Sequence, residues 1–480
     1  MSDIFYRILT SIFDEHSWFR LEKTVILARG FPLYYGTDSG PALVTLYGPV
    51  SVLAYLPAAL VPSPFLMVMV AQAIAFAFVY LPAFWIHIGG KPLKDRDSLF
   101  GLMVFFCFSS MTFRLTSLRA GIFTVHADAP TLGLCASACA CLYFRTAQHT
   151  NWSLFWSSLF AVLAVWSKQV AVPLLPALAL YLYLTEGTAA LKRFLFFVFV
   201  TGTVVSAIFL WAFDARNMFL HMFVIPSQHA LRPGVLKALS RISREWLIMA
   251  AWGIFSIGPS IFHGGPRTAL SEWVRKHRWF LFMLVGFFML PVSVIASLKV
   301  GGSNNTHSYT NYFILLATTT AFLIPDLRPI RILHGKYIRP HHVVIFMTVV
   351  MLAVNMSFLF YRVKNTSRLK NFALEAYEFV KAHPGEAYFP RLTLIHLLAE
   401  NKLYHSIDGL MDRDWAGMRV TGKHLRDYIP PRAQAIIFYG EAHRWLLDLP
   451  EFEQKSERSA VIPGAVVYRR IDSSNSGTVR

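Results

Sequence analysis

Ten stretches of this 480-residue chain are apolar over the length of a membrane-spanning helix. Crossing the hydrocarbon core takes roughly 17–25 mostly apolar residues in helical form. The ten segments are 64–88, 98–115, 128–145, 151–167, 170–186, 193–213, 246–262, 279–298, 308–325 and 341–361. Hydrophobic residues make up 55% of the chain and charged residues only 15%, which excludes an ordinary soluble protein. The sequence therefore predicts an all-α polytopic membrane protein with about ten transmembrane helices.

The lysines and arginines between the apolar runs indicate how the chain is oriented. They are concentrated in alternate loops, at 89–97, 263–278 and 326–340, which the positive-inside rule assigns to the cytoplasm. The formal net charge of +18 also suits anionic headgroups or an anionic lipid-linked substrate. Nucleic acid is not expected as a partner, because the sequence contains no nucleic-acid-binding motif. The prediction is a multi-pass protein of the inner (plasma) membrane.

Three domains follow from this pattern. Residues 1–63 form a first outer loop, in which the apolar stretch 42–61 is interrupted by Pro49 and Pro57, followed by Pro62, and is predicted to lie on the membrane as an interfacial helix. Residues 64–361 form the transmembrane domain. Residues 362–480 form a small extracytoplasmic α/β domain, with a helix near 366–382, strands around 387–389, in "AQAIIFYG" and in "GAVVYRRI", and a disordered end.

Two adjacent carboxylates, Asp14 and Glu15, stand near the start of the first outer loop. Such a pair can act as a general base on a hydroxyl group or hold a divalent cation. The alternative is a solvated turn or the beginning of a helix, where acidic residues are favoured.

A second polar cluster lies in the outer loop "RAGIFTVHADAP". Asp128 could simply cap the following helix, with Pro130 in its first turn. A cap does not need His126 two residues earlier or Arg119 in the same loop. Together these three side chains suit an anionic or metal-bridged ligand.

Lys168 and Gln169 separate two short apolar runs. A lysine at this place either reaches the membrane interface by snorkelling or meets an anion such as a phosphate. Farther along, "KVGGSNNTHSYTNYF" offers His307 and Asn311 among other amides and hydroxyls, which suit sugar hydroxyls or an ordinary polar loop.

Cysteine chemistry is not expected to carry the function. Cys135, Cys139 and Cys141 lie in "LGLCASACACLYF" without a neighbouring histidine or carboxylate, which favours small residues at helix contacts over a metal cluster. The pattern predicts no disulfide framework.

Five motifs in this order resemble those of the C-type (GT-C) membrane glycosyltransferases, especially bacterial relatives of protein O-mannosyltransferases and lipid A aminoarabinose transferases. The motifs are "FDEHSWFRLEKTVILARGFPLYY", "LYGPVSVLAYLPAAL", "HADAP", "WSKQVAVPLLPAL" and "GGSNNTHSYTNYF". The resemblance covers about residues 10–325. It implies transfer of a sugar from a polyprenyl-phosphate carrier to a hydroxyl acceptor at the outer face, with inversion at the anomeric carbon.

By this resemblance, Asp14 or Glu15 is the catalytic carboxylate. Asp128 and His126 place the donor phosphate or a divalent cation, Mg²⁺ or Mn²⁺, with Asp14 and Asp128 as its ligands.

The resemblance also assigns the remaining polar residues. Lys168, with Gln169 beside it, and Arg119 stabilise the charge on the leaving polyprenyl phosphate, while His307 and Asn311 contact sugar donor or acceptor.

One feature departs from the resemblance, and one alternative function stays open. The family has a spanning helix before its first acidic motif, whereas 13 residues precede Asp14 here, too few to cross a membrane. A transporter or flippase of a lipid-linked saccharide would use the same polar groups for binding alone.

Overall fold

The computed structural model describes residues 2–89, 96–145, 150–257, 270–324, 330–331, 337–338, 340–366, 372–438, 444–455 and 466–471. The helix predicted near 366–382 begins at Phe372 in these residues, and the predicted disordered end lies outside them.

Helices dominate the described residues. The N-terminal part contains α1 (Ser2–Thr10), α2 (Glu15–Ala28), α3 (Val50–Leu53), α4 (Leu56–Ala59), α5 (Pro64–Ile88), α6 (Arg96–Thr112), α7 (Thr116–Ile122), α8 (Asp128–Tyr143) and α9 (Thr150–Ser167). The middle contains α10 (Leu174–Glu186), α11 (Thr188–Ala212), α12 (Ala215–Phe219), α13 (Ile225–Gln228), α14 (Val235–Ser256), α15 (Leu270–Lys276), α16 (Phe280–Leu298) and α17 (Ser308–Thr320). The last part contains α18 (Pro340–Thr366), α19 (Phe372–Ala382), α20 (Thr393–Glu400), α21 (Ile407–Trp415) and α22 (Gly422–Asp427).

Each of the ten predicted membrane segments overlaps a helix, with residues 258–262 and 325 outside the described residues, but not all of these helices are long and apolar enough to span alone. Within the described residues, five helices are long and apolar enough to cross a membrane: Pro64–Ile88, Gln169–Glu186, Thr188–Ala212, Phe280–Leu298 and His341–Phe358. A sixth candidate is a pair of helices, α6 and α7, bent by 90°. The count of ten is therefore not confirmed.

Two of the shorter helices, α8 and α17, form the centre of the bundle. They have 16 and 13 residues, fewer than a full crossing needs, and nearly every side chain in them is buried. Small residues in α8 allow close packing, because a Cβ at Gly133 would lie 2.3 Å from the carbonyl oxygen of Phe78. Cys135 and Cys139 are buried free thiols in this helix.

Two segments of the chain are interrupted where the sequence contains helix breakers. The predicted break at Lys168 is present, since Lys168 has an extended backbone and a 3₁₀ turn, Gln169–Ala171, follows it. The predicted interfacial helix over 42–61 is wrong as one continuous element. The chain is irregular up to residue 49 and then forms only the single turns α3 and α4, because Pro49 and Pro57 each start a new turn.

The C-terminal part contains a four-stranded sheet with α-helices around it. Its strands are β3 (Ala387–Tyr388), β4 (Ala435–Phe438), β5 (Phe452–Lys455) and β6 (Val466–Arg470), in the order β3-β4-β6-β5; a separate hairpin pairs β1 (Ile330–Arg331) with β2 (Tyr337–Ile338). β3 runs parallel to β4, and the β4–β6 and β5–β6 pairs are antiparallel. Three strands match the sequence prediction and β5 was missed, while the domain boundaries stay a prediction.

The helix α21 attaches the C-terminal part to the first loop. The amide nitrogen of Ser406 donates to the carbonyl oxygen of Ala42 at 3.2 Å, and the Ala42 amide donates to His405 Nδ1 at 2.7 Å. The guanidinium of Arg413 donates to the carbonyl oxygens of Gly36 and Thr37, both at 2.8 Å. These contacts hold α21 over the membrane helices, where a cavity lies beneath it.

Candidate active site

A cavity of about 840 Å³ lies between the membrane helices and α21. Its walls come from α2, the segment 44–55, the loop 120–127, the break at Lys168, the segment 222–229, the end of α16, the loop 299–309 and α21. Three outer loops that the sequence predicts to be functional therefore meet around one space.

Asp128, the first residue of α8, is fully buried behind the cavity wall, and its four side-chain partners all line the cavity. Its Oδ1 lies 2.5 Å from Lys168 Nζ and accepts from Tyr309 Oη at 2.6 Å. Its Oδ2 accepts from Asn305 Nδ2 at 2.7 Å and lies 2.8 Å from His126 Nδ1. The cap position belongs to Ala127, so Asp128 is not the N-cap that the simpler interpretation proposed.

The position of Asp128 explains why a fully buried carboxylate is tolerated. The positive end of the α8 dipole favours an anion at the first residue of the helix. Lys168 supplies the full charge, and it can reach Asp128 because the chain is extended between α9 and the following turn. Burial by itself would lower the pKa of the Lys168 ammonium, but the Asp128 carboxylate outweighs burial and raises that pKa above its ordinary value.

His126 is neutral in this arrangement. Burial lowers the pKa of its imidazole to about 4, although the adjacent Asp128 opposes the shift. Its Nδ1 lies 2.8 Å from Asp128 Oδ2 and 3.3 Å from the Asp128 amide nitrogen, while Nε2 lies 3.4 Å from Tyr47 Oη. Tyr55 Oη donates to the His126 carbonyl oxygen at 2.8 Å and fixes the loop.

Three more cations face the cavity. Lys23 Nζ lies 2.5 Å from Glu22 Oε2, and Lys299 Nζ donates to the Pro226 carbonyl oxygen at 2.8 Å. Arg20, which is half-buried, makes no hydrogen bond or ion pair with any residue that the structure describes. A cation without a counter-ion in a partly enclosed space is a site for an anionic group.

One side of the cavity is apolar and open. Val292 and Ile295 of α16 and Phe223 of the π-helical turn Leu220–Val224 line it. Ile295 and Phe223 are also 52% and 48% exposed at the outer surface of the bundle. The cavity thus has an apolar edge that continues onto an exposed apolar surface of the bundle.

The opposite wall is acidic. Asp408 and Asp412 stand four residues apart on α21, and both line the cavity. Burial raises the pKa of Asp412 to about 7, and the like charge of Asp408 adds to this rise, while Arg20 and Lys23 oppose it. The His229 Nε2 atom lies 3.1 Å from the Asp412 carbonyl oxygen.

Asp14 and Glu15 directly precede His16, which lines the cavity, but neither of them is among the residues of its wall. Asp14 is the N-cap of α2, and its Oδ2 accepts from the Ser17 amide at 3.1 Å and from Ser17 Oγ at 2.6 Å. Ser17 Oγ in turn accepts from the amide of Val125, which lines the cavity. Glu15 is the first residue of α2, and its side chain lies outside the described part of the structure. Their catalytic role stays a prediction.

The other predicted residues fall in different places. Gln169 lines the cavity, but its amide donates to the carbonyl oxygens of Leu46 and Met222 at 3.1 and 3.0 Å. Arg119 is exposed on α7 and is not part of the cavity wall.

His307 and Asn311 are buried outside the cavity wall. Asn311 joins two helices, since its Nδ2 donates to Glu245 Oε2 at 2.6 Å and to Ser117 Oγ at 2.9 Å. Neither nitrogen of His307 has a partner among the described residues, and burial lowers the pKa of its imidazole to about 4.

The 299–313 loop supplies two neighbours of Asp128 that the sequence did not single out, while the predicted contact of His307 and Asn311 with donor or acceptor stays a prediction. Asn305 and Tyr309 bond to Asp128, whereas the selected His307 and Asn311 do not. Both pairs have the i, i+4 spacing that puts side chains on one helix face, so the sequence carries no signal that separates them. Arg20 and Lys23 were missed although they lie in the first acidic motif.

The predicted cation does not fit the described residues around Asp128. Both carboxylate oxygens already accept from protein groups, and a cation would have to displace them. No three histidine, cysteine, aspartate or glutamate side chains gather as ligands in the described ranges. The divalent cation stays a prediction, and no chemical step below uses it.

Comparisons with known proteins give the fold. No protein-family model and no curated protein matches the chain. Its structure is similar to that of ArnT from Cupriavidus metallidurans bound to undecaprenyl phosphate, with a TM-score of 0.59 and 11% identity over 98% of this chain and 97% of that one. The apo state of the same protein gives a TM-score of 0.53 and 12% identity over 95% and 93% of the two chains. The chain therefore shares the fold of ArnT, a lipid A aminoarabinose transferase, and its resemblance to the GT-C glycosyltransferases is confirmed at the level of the fold.

Proposed function

We propose that this protein is an integral membrane glycosyltransferase that moves a sugar from a polyprenyl-phosphate carrier to a hydroxyl acceptor at the outer face of the membrane. The single observation that carries the proposal is the cavity, in which Arg20 stands without a counter-ion beside an apolar edge exposed on the bundle. A polyprenyl phosphate has the matching halves, an anionic head and an apolar chain. The ArnT structure, which has the same fold, is bound to undecaprenyl phosphate.

The cations have separate tasks in this proposal. Lys168 already neutralises Asp128, so its main effect is to hold the loop 126–128 and α8 in place. Arg20 and Lys299, which make no ion pair among the described residues, are available for the phosphate, and Lys23 has N–H donors left beside the one that Glu22 accepts. A positive group fixed in advance, where charge builds up on the leaving phosphate, stabilises the transition state more than water does.

The chemical step is a displacement at the anomeric carbon. A carboxylate takes the proton of the acceptor hydroxyl while the hydroxyl oxygen forms a bond to the anomeric carbon. The bond from that carbon to the phosphate oxygen breaks, and polyprenyl phosphate leaves with the electron pair. Asp14 or Glu15 is the proposed base, and inversion of configuration follows from a single displacement.

The test is a transfer assay on membranes that contain the protein and a radiolabelled polyprenyl-phosphate sugar. The wild-type protein is expected to form a labelled product, and the variants D14N, E15Q and D14N/E15Q to lose most of this activity. D408N and D412N test whether the carboxylates of α21 serve as the base instead. K237Q, which changes an exposed lysine at the start of α14, is the matched control with unchanged transfer.

Two results would contradict the proposal. Unchanged transfer in all the Asp14 and Glu15 variants would exclude these residues as the base. Movement of the labelled lipid across the membrane without a new glycosidic bond would exclude catalysis and identify a transporter.

A further inference from the structure

The helix α21 separates the cavity from a second, smaller pocket of about 300 Å³. Its lining consists of Leu410, Met411, Asp414, Trp415, Arg419, Val420, Arg444 and Trp445. Met411 and Trp415 line both spaces, so the pocket begins where the main cavity ends.

Trp415 is held at this junction by the membrane part of the protein. Its ring meets the His229 ring edge-on, with centroids 5.8 Å apart and planes at 88°. Gly301 faces it from the loop 299–309, where a Cβ would lie 3.1 Å from Trp415 Cζ3, and the positive φ of 83° at Gly301 also favours glycine. The indole is therefore a fixed wall between the two spaces.

The pocket offers hydrogen-bonding groups that the described protein leaves free. Arg419 is occupied, because it lies 2.8 Å from Asp448 Oδ2 and donates to the Arg444 carbonyl oxygen at 2.9 Å. The Arg444 guanidinium and the Asp414 carboxylate make no hydrogen bond or ion pair with a residue in the described ranges. The lining thus contains one free donor group and one free acceptor group.

Trp445 adds a hydrogen-bond donor that has no acceptor among the described residues. Its side chain is 5% exposed, and its Nε1 has no partner among the residues that the structure describes. A buried donor without a partner destabilises the folded protein. A hydroxyl oxygen on a bound molecule would remove this destabilisation after a small shift of the ring.

We propose that this pocket is a saccharide subsite that holds a sugar ring of the acceptor, next to the hydroxyl that reacts in the main cavity. The assignment of this sugar to the acceptor rests on the proposed function. An indole face for the C–H side of a ring, with a cation and a carboxylate for its hydroxyls, is the chemistry that a neutral sugar requires. Because Trp415 lines both spaces, a molecule of two or more sugar units can occupy them at once.

The test measures sugar binding and carrier binding separately on the full-length protein in detergent. Saturation-transfer difference NMR is recorded with three neutral probes: methyl α-mannopyranoside, N-acetylglucosamine and methyl β-galactopyranoside. At least one is expected to give a signal that persists when undecaprenyl phosphate is present in excess. The variants R444Q, D414N and W445F are expected to raise its Kd at least tenfold.

The controls separate this inference from the proposed function. R444Q and D414N alter half-buried or exposed groups, and their melting temperatures are expected to equal that of the wild type. Their Kd for undecaprenyl phosphate, measured by calorimetry, is also expected to be unchanged, whereas R20Q is expected to raise that Kd and leave sugar binding intact.

Three results would overturn the inference: no signal with any of the three sugars, a signal that survives in R444Q and D414N, or a signal abolished by undecaprenyl phosphate. The last would put the sugar in the main cavity. If the wild-type protein binds a sugar but does not bind undecaprenyl phosphate, the proposed function is contradicted and the inference about the pocket is not.

Discussion

Lys168 Nζ lies 2.5 Å from Asp128 Oδ1, and both side chains are buried. The pair joins the first residue of α8 to the break between α9 and α10, two places that are 40 residues apart in the chain. Removing one member leaves a charge in a poorly solvated place. Breaking a buried ion pair in this way costs about 3–5 kcal/mol, more than removing both members together.

The first prediction concerns this pair. K168M is expected to destabilise the protein by about 3–5 kcal/mol, because the Asp128 carboxylate loses its counter-ion. The double variant D128N/K168M is expected to recover part of the loss. The measurement is the melting temperature of the detergent-solubilised protein, followed by size-exclusion chromatography. Additive effects of D128N and K168M would contradict direct coupling, and K237Q is the control that changes no buried charge.

The second prediction concerns the cations of the cavity. R20Q, K23Q and K299Q are each expected to raise the Kd for undecaprenyl phosphate about five- to tenfold, which corresponds to about 1–1.4 kcal/mol. R20Q is expected to act most strongly, because Arg20 has no counter-ion among the described residues. Calorimetry at two salt concentrations checks this, with weaker binding expected at the higher one. Equal Kd values in R20Q and K237Q would show that the phosphate does not bind at Arg20.

Much of the architecture could be predicted because the apolar runs and the break at Lys168 are local properties of the sequence. The meeting of His126, Asp128 and Lys168 was also suggested, since all three stand at loop positions on one predicted side. The short helices α8 and α17 show the limit. Their burial at the centre of the bundle depends on neighbours far away in the sequence, which hydropathy does not report.

The site was harder to predict than the fold, because it depends on which face of each segment turns inward. Asn305 and Tyr309 bond to Asp128, while Asn311, two residues beyond Tyr309, bonds to side chains of α7 and α14. Asp408 and Asp412 reach the cavity only because α21 docks on the loop at Ala42, a contact across more than 350 residues. No local pattern contains that information.

The third prediction is a pH dependence that arises from Asp412. The pKa of this carboxyl is raised from 3.8 to about 7, so the folded protein holds its proton more tightly than the unfolded chain does. The protonated Asp412 carboxyl contributes its full stability below about pH 4. As the pH rises from about 4 to about 7, the free energy of unfolding falls by about 2–4 kcal/mol because this proton is lost. D412N is expected to remove this loss, so its melting temperature exceeds that of the wild type at pH 8 but not at pH 4.

Melting curves from pH 4 to pH 8 check this. D427N, which changes an exposed aspartate of the neighbouring α22, is the control and is expected to follow the wild type. Parallel curves for D412N and the wild type would contradict the raised pKa. The charges of Arg20 and Lys23 oppose the rise in the pKa of Asp412, so R20Q is expected to raise this pKa further and extend the loss of stability to higher pH.

The fourth prediction concerns Gly409, where α21 meets the first loop. A Cβ on this residue would lie 1.8 Å from the carbonyl oxygen of Ala42 and 2.5 Å from its carbonyl carbon, and neither backbone atom can move cheaply. G409A is expected to push α21 away and break the bond from the Ser406 amide to Ala42, at a cost of about 1–3 kcal/mol. Because α21 carries Asp408, Asp412 and Trp415, carrier binding and sugar binding should both weaken.

The measurements are limited proteolysis of the C-terminal part and the Kd for undecaprenyl phosphate. G202A is the matched control, since its nearest neighbour would be 4.0 Å away in a membrane helix, and alanine there should be neutral or slightly stabilising. Wild-type protease resistance in G409A would show that the docking of α21 on Ala42 is not needed to hold the two parts together.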